Sequence, residues 1–277
     1  SSGIFLLADG MGGHPEGEVA AQMALQVISA MYQQEAKPEI EDVEAFFKKA
    51  ILAAHRQILR YATEKHLMDT PRTTLVAAIV QGGRASWMHC GDSRLYFVRQ
   101  GELLARTRDH SYIEQRQEAK PNVPIPDNFN RNVLYTCLGS PAKPVFEVTG
   151  PVPLQQGDRI LLCSDGLWGS LDDSDIVYHL GHKPIGTSAP DLVEAALTKA
   201  GAHSDNVTLI AMEWETPDVF ESTRGAISTD HIEDGVFAST VQAGWIDSGE
   251  DDLDDAAIER SIAEINEAIR RSAARRR

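Results

Sequence analysis

The sequence predicts an α+β layered domain, because strand-like and helix-like segments are segregated along the chain and do not alternate strictly. Three observations carry this prediction. An apolar run at 3–8 has the length of one buried strand, and the stretches 18–32 and 43–59 place apolar residues at helical spacing. Short β-branched or apolar runs separated by Gly-Gly, Gly-Asp and Gln-Gly turns then fill 73–107, which is typical of an antiparallel meander.

The second half of the domain continues with the same two kinds of segment. Strands are predicted at 133–137, 145–149, 158–163 and 207–214, the last of them buried, and helices at 172–180 and 189–200. The stretch 119–132 is rich in proline and asparagine, which resist both helix and ladder, so we expect a surface flap there.

The domain is predicted to span 1–214, followed by an acidic linker and a C-terminal helical tail over 215–277. Apolar density falls after residue 214, and seven acids lie between 247 and 259. Four isoleucines then recur at intervals of four, three and four residues: Ile258, Ile262, Ile265 and Ile269. Such a stripe predicts a helix that packs on the domain, on a second copy or on a partner. The alternative is a partly disordered tail with a chance stripe.

Composition restricts the possible function classes. A chain of 277 residues with 42% hydrophobic residues can bury a sizeable core. Its net charge of −15 disfavours binding to nucleic acid or to an anionic membrane. Three widely spaced cysteines fit reduced core thiols in a cytoplasmic protein better than a disulfide framework. No apolar run approaches the roughly 20 residues of a membrane span, and no signal peptide heads the chain.

Four apolar runs end in an aspartate beside a glycine or a small polar residue: Asp9, Asp92, Asp165 and Asp205. One such turn is commonplace, but four at strand ends indicate a shared site. Carboxylates brought together there would repel each other unless a cation neutralised them. Oxygen donors without a His/Cys cluster at zinc spacing favour Mg²⁺ or Mn²⁺. Two such ions about 3.5–4 Å apart can activate a water for attack on a phosphoryl group, so the pattern predicts metal-assisted hydrolysis, with phosphorus the favoured target.

Seven motifs then carry a resemblance to a known family. They are ADGMGGH at 8–14, the Thr73-Thr74 pair, CGDSRLY at 90–96, TRDHS at 107–111, RNVL at 131–134, CSDGLWG at 163–169 and SDNVTLI at 204–210. In order and spacing the chain resembles, over 3–214, the metal-dependent protein phosphatase family of type 2C, bacterial branch. The resemblance implies a central antiparallel β-sandwich with helices on both faces. It also implies that the family's N-terminal strand, with a phosphate-binding arginine and an acidic ligand, is missing before residue 1.

The resemblance also implies roles for individual residues. Asp9 would bridge two Mn²⁺ or Mg²⁺ ions, and Gly10 would offer its carbonyl to one of them. Asp165 and Asp205 would complete the second ion, and these three aspartates form the catalytic set. Asp92 would bind a third, more weakly held ion or order the water of the site.

One departure from the family pattern argues against a stable third ion. Four residues after the aspartate of the SDG motif the family usually has another aspartate, and this chain has Gly169. Asp172 or Asp173 nearby could substitute for it.

Four further side chains need a separate interpretation. Arg72 stands where the family commonly has glycine; it either reaches a substrate phosphate or, as strand-edge arginines do more often, lies in solvent. His14 is either a proton donor or, more commonly, a helix cap or solvated side chain. Arg94 is expected to form a salt bridge with an acid beneath the site, and Asn206 is expected to fix Asp205 through its side chain.

The predicted function is therefore that of a cytoplasmic phosphoserine/phosphothreonine protein phosphatase. Water activated between two Mn²⁺ or Mg²⁺ ions would hydrolyse a phosphorylated protein substrate, opposing a cognate Ser/Thr kinase, with substrate choice in the flap. The alternative is a catalytically silent type-2C-like regulatory or binding domain that uses the isoleucine stripe to hold a partner.

Overall fold

The computed structural model describes residues 2–119 and 133–215. The predicted flap from residue 120 and the predicted tail from residue 216 lie outside these residues. The strands are β1 (Ser2–Leu7), β2 (Leu75–Gln81), β3 (Arg84–Cys90), β4 (Arg94–Arg99), β5 (Glu102–Arg106), β6 (Glu147–Pro153), β7 (Arg159–Cys163) and β8 (Leu209–Glu213). The helices are α1 (Gly17–Glu35), α2 (Val43–Glu64), α3 (Tyr112–Ala119), α4 (Asp165–Trp168), α5 (Asp173–His182) and α6 (Ile185–Ala200).

The strands form two four-stranded antiparallel sheets, in the orders β1-β2-β3-β6 and β5-β4-β7-β8. Alternate side chains of the two sheets meet between them, because successive residues of a strand point to opposite faces. Val76 and Ala78 of the first sheet pack there with Leu95, Phe97 and their neighbours in the second. The predicted central sandwich is confirmed.

Helices cover both outer faces of this sandwich. The other face of β2, including Leu75 and Ile79, packs with α1 and α2 in one core. The outer face of the second sheet, including Tyr96 and Leu161, packs against α5 and α6. The result is an α/β/β/α stack, as expected. Among the helices of the described ranges, none is both long enough and apolar enough to cross a bilayer.

Two local predictions were wrong. No strand forms at 133–137, because its pairing with residues 110–112 is not continued in either direction. The Tyr112 amide donates to the Val133 carbonyl, and the Tyr135 amide donates to the His110 carbonyl. Only isolated bridges remain there, at Leu134 and Leu138. The last strand, β8, is half-buried and not buried, because it lies at the edge of its sheet.

Truncation of Phe97 should destabilise the protein strongly. This ring is fully buried between the sheets and meets Trp87 edge-on at 6.0 Å between ring centroids. Phe97→Ala is expected to lower the free energy of unfolding by about 3–5 kcal/mol and the melting temperature by roughly 6–20 °C, measured by calorimetry. Leu104→Ala is the control, because this side chain on β5 is 48% exposed; a large loss there would contradict the layer assignment.

Candidate metal centre

The start of β2 fixes the position of Asp9 at the end of the sandwich. The Thr74 amide donates to the Asp9 carbonyl at 2.9 Å, and the Thr73 hydroxyl donates to the same oxygen at 2.8 Å. The antiparallel register that pairs Leu7 with Val76 continues to an isolated bridge between Gly10 and Thr73. Asp9 therefore shares the face of Leu7, which points between the two sheets.

Gly10 lets the loop after Asp9 lie directly against the first turn of α1. A Cβ added to Gly10 would come within 2.4 Å of the Gly17 carbonyl carbon and 2.5 Å of its oxygen. Both atoms belong to the backbone, so no side-chain rotation relieves the clash. Glycine at position 10 is thus required for the backbone approach that places Asp9.

Asp165 and Asp205 come from the neighbouring ends of β7 and β8. The Ser164 amide donates to the Thr208 carbonyl at 3.0 Å, and the Thr208 amide donates to the Ser164 hydroxyl at 3.1 Å. The Asn206 amide donates to Asp205 Oδ1 at 2.7 Å. The described bond to Asp205 thus comes from the backbone of Asn206, whereas its side chain was the predicted donor.

Three side chains in contact with one another, those of Trp168, Arg94 and Asp109, support Asp92 in the turn between β3 and β4. The Trp168 Nε1–H donates to the Asp92 carbonyl at 2.9 Å. The guanidinium of Arg94 lies over the Trp168 ring at 3.7 Å and bonds Asp109 through two nitrogens at 2.7 and 2.8 Å. The predicted salt bridge of Arg94 is present, and it links the TRDHS motif to the Asp92 turn.

The structure brings the four predicted aspartates into one electrostatic cluster. Burial, followed by the Asp165 and Asp205 carboxylates, raises the pKa of Asp9 to about 7. Burial, followed by Asp165 and Asp109, raises the pKa of Asp92 to about 7. Burial and then the charge of Asp205 also raise the pKa of Asp165. Asp205 is exposed and forms the open side of the cluster. Without a neutralising cation, the Asp9 and Asp92 carboxyl groups therefore hold protons up to near neutral pH.

This donor set fits divalent cations that prefer oxygen. All four side chains are carboxylates, and the Asp9 and Asp165 carboxyl groups lie close enough to share a proton by hydrogen bonding. A Mn²⁺ or Mg²⁺ ion would replace that proton and remove the repulsion. Gly10 has no Cβ beside its carbonyl group, which suits the predicted contact between that carbonyl and a metal ion.

A second cluster of possible ligands does not suit a metal. One ligand atom each of His89, His110 and Glu147 lies within 4.8 Å of the others. However, the Gly91 amide donates to His110 Nδ1 at 3.2 Å, which leaves the ring proton on Nε2, the atom that faces Glu147. His89 Nε2 donates to the Arg108 carbonyl at 2.6 Å. The stacked histidines therefore support the backbone before Asp92.

The two acids suggested as substitutes at the third-ion position are each paired with a basic side chain. Asp173 receives hydrogen bonds from the Tyr96 hydroxyl at 2.8 Å and from Arg106 at 3.0 Å. The Asp172 side chain is 82% exposed and lies 3.7 Å from the Lys199 ammonium group. A Cβ on Gly169 would come within 2.7 Å of the Asp165 carbonyl oxygen, so an aspartate there would require the turn to change.

Sequence patterns missed the side chains that connect the elements of the site. Ser164 hydrogen-bonds across to residue 208, and the Thr74 hydroxyl contacts the Ser93 hydroxyl at 2.6 Å. Asp69 accepts hydrogen bonds from His14 at 2.7 Å and from Arg72 at 3.2 Å. The only available signal was a small hydroxyl residue beside a strand-end aspartate. Asp69 had none, because it lies outside the motifs and its partner His14 is 55 residues away in the sequence.

A two-sheet sandwich with a carboxylate cluster at one end fits a metal-dependent hydrolase. Residues 1–200 match the family described as "Protein phosphatase 2C". That match covers most of the 277 residues, and the chain belongs to this family.

Known relatives agree with this placement. The "Serine/threonine phosphatase stp" of Listeria welshimeri is 32% identical over 216 residues, covering 76% of this chain and 84% of the relative. The crystal structure of the Mycobacterium tuberculosis serine/threonine phosphatase PstP/Ppp is 29% identical, with a TM-score of 0.65, and covers 78% of this chain and 92% of that one. The catalytic domain of PstP has been solved in complex with two manganese ions, at 29% identity and a TM-score of 0.62, covering 76% and 89%.

The chain is thus an enzyme, a metal-dependent protein phosphatase of the bacterial type. The sequence-based predictions of family, fold, activity and metal type are confirmed by the family match and by these relatives.

Gly10→Ala should inactivate the enzyme, while Gly12→Ala should not. The first substitution pushes the loop away from α1 and displaces Asp9, and a misplacement of about 1 Å costs roughly 10²-fold in rate. A Cβ on Gly12 meets no atom of residues 2–119 or 133–215 within 4 Å, so this variant is the matched control. Mn²⁺-dependent hydrolysis of an aryl phosphate measures both; equal activity of the two variants would contradict the role given to the Gly10 backbone.

The stabilisation by Mn²⁺ should depend on pH. Because the pKa values of Asp9 and Asp92 are raised to about 7, the metal-free native state holds more protons than the unfolded chain between about pH 4 and 7. Its stability therefore falls as pH rises through that window. Mn²⁺ at about 100 times its dissociation constant should add about 2.7 kcal/mol, roughly 5–11 °C in melting temperature.

Below pH 7 the bound Mn²⁺ must displace protons from the aspartates. The Mn²⁺ concentration needed for this gain should therefore rise roughly tenfold for each pH unit lowered and each proton displaced. Thermal shift titrations at pH 6 and pH 8 measure this dependence. An equal Mn²⁺ affinity at the two pH values would contradict the protonated state of the cluster.

Proposed function

We propose that Asp9, Asp165 and Asp205 are the catalytic metal ligands of this phosphatase, with the Gly10 carbonyl as a fourth donor and Asp92 as an outer one. The observation that carries this proposal is the convergence of these carboxylates at one end of the sandwich, with raised pKa values for Asp9, Asp92 and Asp165. Such a cluster is stable in its ionised form only with cations present.

Each residue of the site has a definite task in the reaction. When bound, two Mn²⁺ or Mg²⁺ ions supply a nucleophile from water at neutral pH and neutralise charge on the phosphoryl group. Asp9 and Asp165 hold the buried side of the centre, and the hydrogen bonds of Thr73, Thr74 and Ser164 fix their backbones. Asp205 lies on the exposed side, where a phosphoryl group can enter.

The substrates are proposed to be proteins phosphorylated on serine or threonine, which a cognate Ser/Thr kinase would supply. Relatives named serine/threonine phosphatases, from Listeria welshimeri and Mycobacterium tuberculosis, support this proposal. A cytoplasmic location is favoured by the three cysteines, which are buried and unpaired. Residues 1–214 are proposed as the catalytic domain.

Asp165→Asn should abolish catalysis without unfolding the protein. The amide keeps the shape of the side chain but is a poor ligand, and loss of an ion removes several kcal/mol of transition-state stabilisation, on the order of 10³-fold in rate. One repelling charge is also lost, so the metal-free melting temperature at pH 8 should be unchanged or higher.

Aryl phosphate hydrolysis, Mn²⁺ calorimetry and thermal melting measure these three effects. Asp175→Asn, an exposed substitution on α5, is the control. Full activity of Asp165→Asn would refute the ligand assignment, and a wild-type protein that bound no Mn²⁺ would favour the silent regulatory domain.

A further inference from the structure

We propose that the guanidinium group of Arg72 binds the phosphate of the substrate beside the metal centre, and that Asp69 positions it there. This inference rests on the proposed function and adds a substrate-binding residue to it. Arg72 precedes the Thr73-Thr74 pair that holds Asp9.

The strand register places Arg72 on the same face as Asp9. The Met11 amide donates to the Arg72 carbonyl at 2.9 Å, which continues the pairing of Gly10 with Thr73. Side chains of a strand alternate between faces, so Arg72 shares the face of Thr74 and of its cross-strand partner Asp9. Two residues along a strand correspond to about 6.6 Å, a distance that a long side chain can span.

The guanidinium group of Arg72 is held by Asp69 but keeps hydrogen-bond donors that the described residues do not use. One terminal nitrogen lies 3.2 Å from Asp69 Oδ1, while the other carboxylate oxygen of Asp69 accepts from His14 Nδ1 at 2.7 Å. Within the part of the chain that the structure describes, Arg72 Nε is buried and has no hydrogen-bond partner. A buried donor without an acceptor is costly, and a phosphate oxygen would satisfy it.

Arg94 differs in this respect, although it also lies close to the site. Two of its nitrogens bond Asp109, and the third bonds the Tyr96 hydroxyl at 3.1 Å. Its charge is thus committed to the protein interior. Arg72 contacts one carboxylate among the described residues, at 3.2 Å, and keeps donors for a ligand.

The charges of Arg72 and Asp92 both affect the pKa of the buried Cys137 thiol. Burial is the main reason that the pKa of Cys137 is raised; the charge of Arg72 lowers it, and that of Asp92 raises it. Arg72 and Asp92 are therefore both near this thiol. Four carboxylates and two divalent cations sum to zero net charge, so a phosphate dianion there gains from an additional cation.

Phosphate binding to the Mn²⁺-loaded protein tests the proposal directly. Arg72→Ala should weaken competitive inhibition by inorganic phosphate by roughly ten- to a hundredfold, the loss expected for charge-assisted hydrogen bonds, and should raise KM for an aryl phosphate similarly. Arg72→Lys should recover part of this affinity, because it keeps the charge but not the planar fork. Asp69→Asn should give a smaller increase, because it only loosens the guanidinium.

Mn²⁺ affinity and melting temperature separate this role from a structural one. Both should stay unchanged in Arg72→Ala. Arg84→Ala is the control, because Arg84 is exposed at the start of β3, paired with Gln81 at the end of β2 that lies away from the metal centre. Unchanged phosphate affinity in Arg72→Ala, or a loss of Mn²⁺ binding, would overturn the proposal. If the wild type showed no turnover, the proposed function would fail, while calorimetric phosphate binding to the Mn²⁺-loaded protein would still decide the role of Arg72.

Discussion

The repulsion among four carboxylates at one end of the sandwich is the interaction on which the rest of the site depends. Asp9, Asp92 and Asp165 are raised in pKa chiefly by burial and then by one another's charges or that of Asp205. A folded chain tolerates this arrangement only if its backbone resists separation of the acids. That resistance comes from hydrogen bonds between buried hydroxyl groups and main-chain atoms: the Thr73 hydroxyl donates to the Asp9 carbonyl at 2.8 Å, and the Ser164 hydroxyl accepts from the Thr208 amide at 3.1 Å.

The two sheets divide this task between them. The first sheet supplies Asp9 from β1 and the second supplies Asp165 from β7, so the distance between these acids is set by how the sheets pack. The apolar layer between the sheets, centred on Phe97, Leu95 and Val76, therefore also sets the distance between Asp9 and Asp165. Close packing of interiors makes such a layer stiff, which links the stability of the core to the geometry of the site.

Much of this arrangement follows from local sequence. Apolar periodicity located nearly all strands and helices, and the aspartates at strand ends marked the centre, because both signals depend on neighbouring residues only. Two of the errors have a common physical origin. Asp173 is bound by Arg106 of β5, and 133–137 bonds through two backbone pairs to residues 110 and 112. Both outcomes depend on partners distant in the chain, and sequence patterns do not contain those distances. The third concerns adjacent residues: Asn206 uses its backbone amide on Asp205 where its side chain was expected.

Proximity of donor atoms alone does not make a metal site, as the two clusters of this protein demonstrate. His89, His110 and Glu147 satisfy a distance criterion, yet the amide of Gly91 uses the lone pair of His110 Nδ1 and leaves a proton on the nitrogen that would have to bind the metal. The Asp9 and Asp165 carboxyl groups instead lie close enough to hydrogen-bond to each other, so a cation can take the place of the proton between them. What separates the centre from its neighbour is therefore the hydrogen-bonding state of each donor. The same criterion distinguishes Arg72, which has a donor left unpaired, from Arg94, whose three nitrogens are bound.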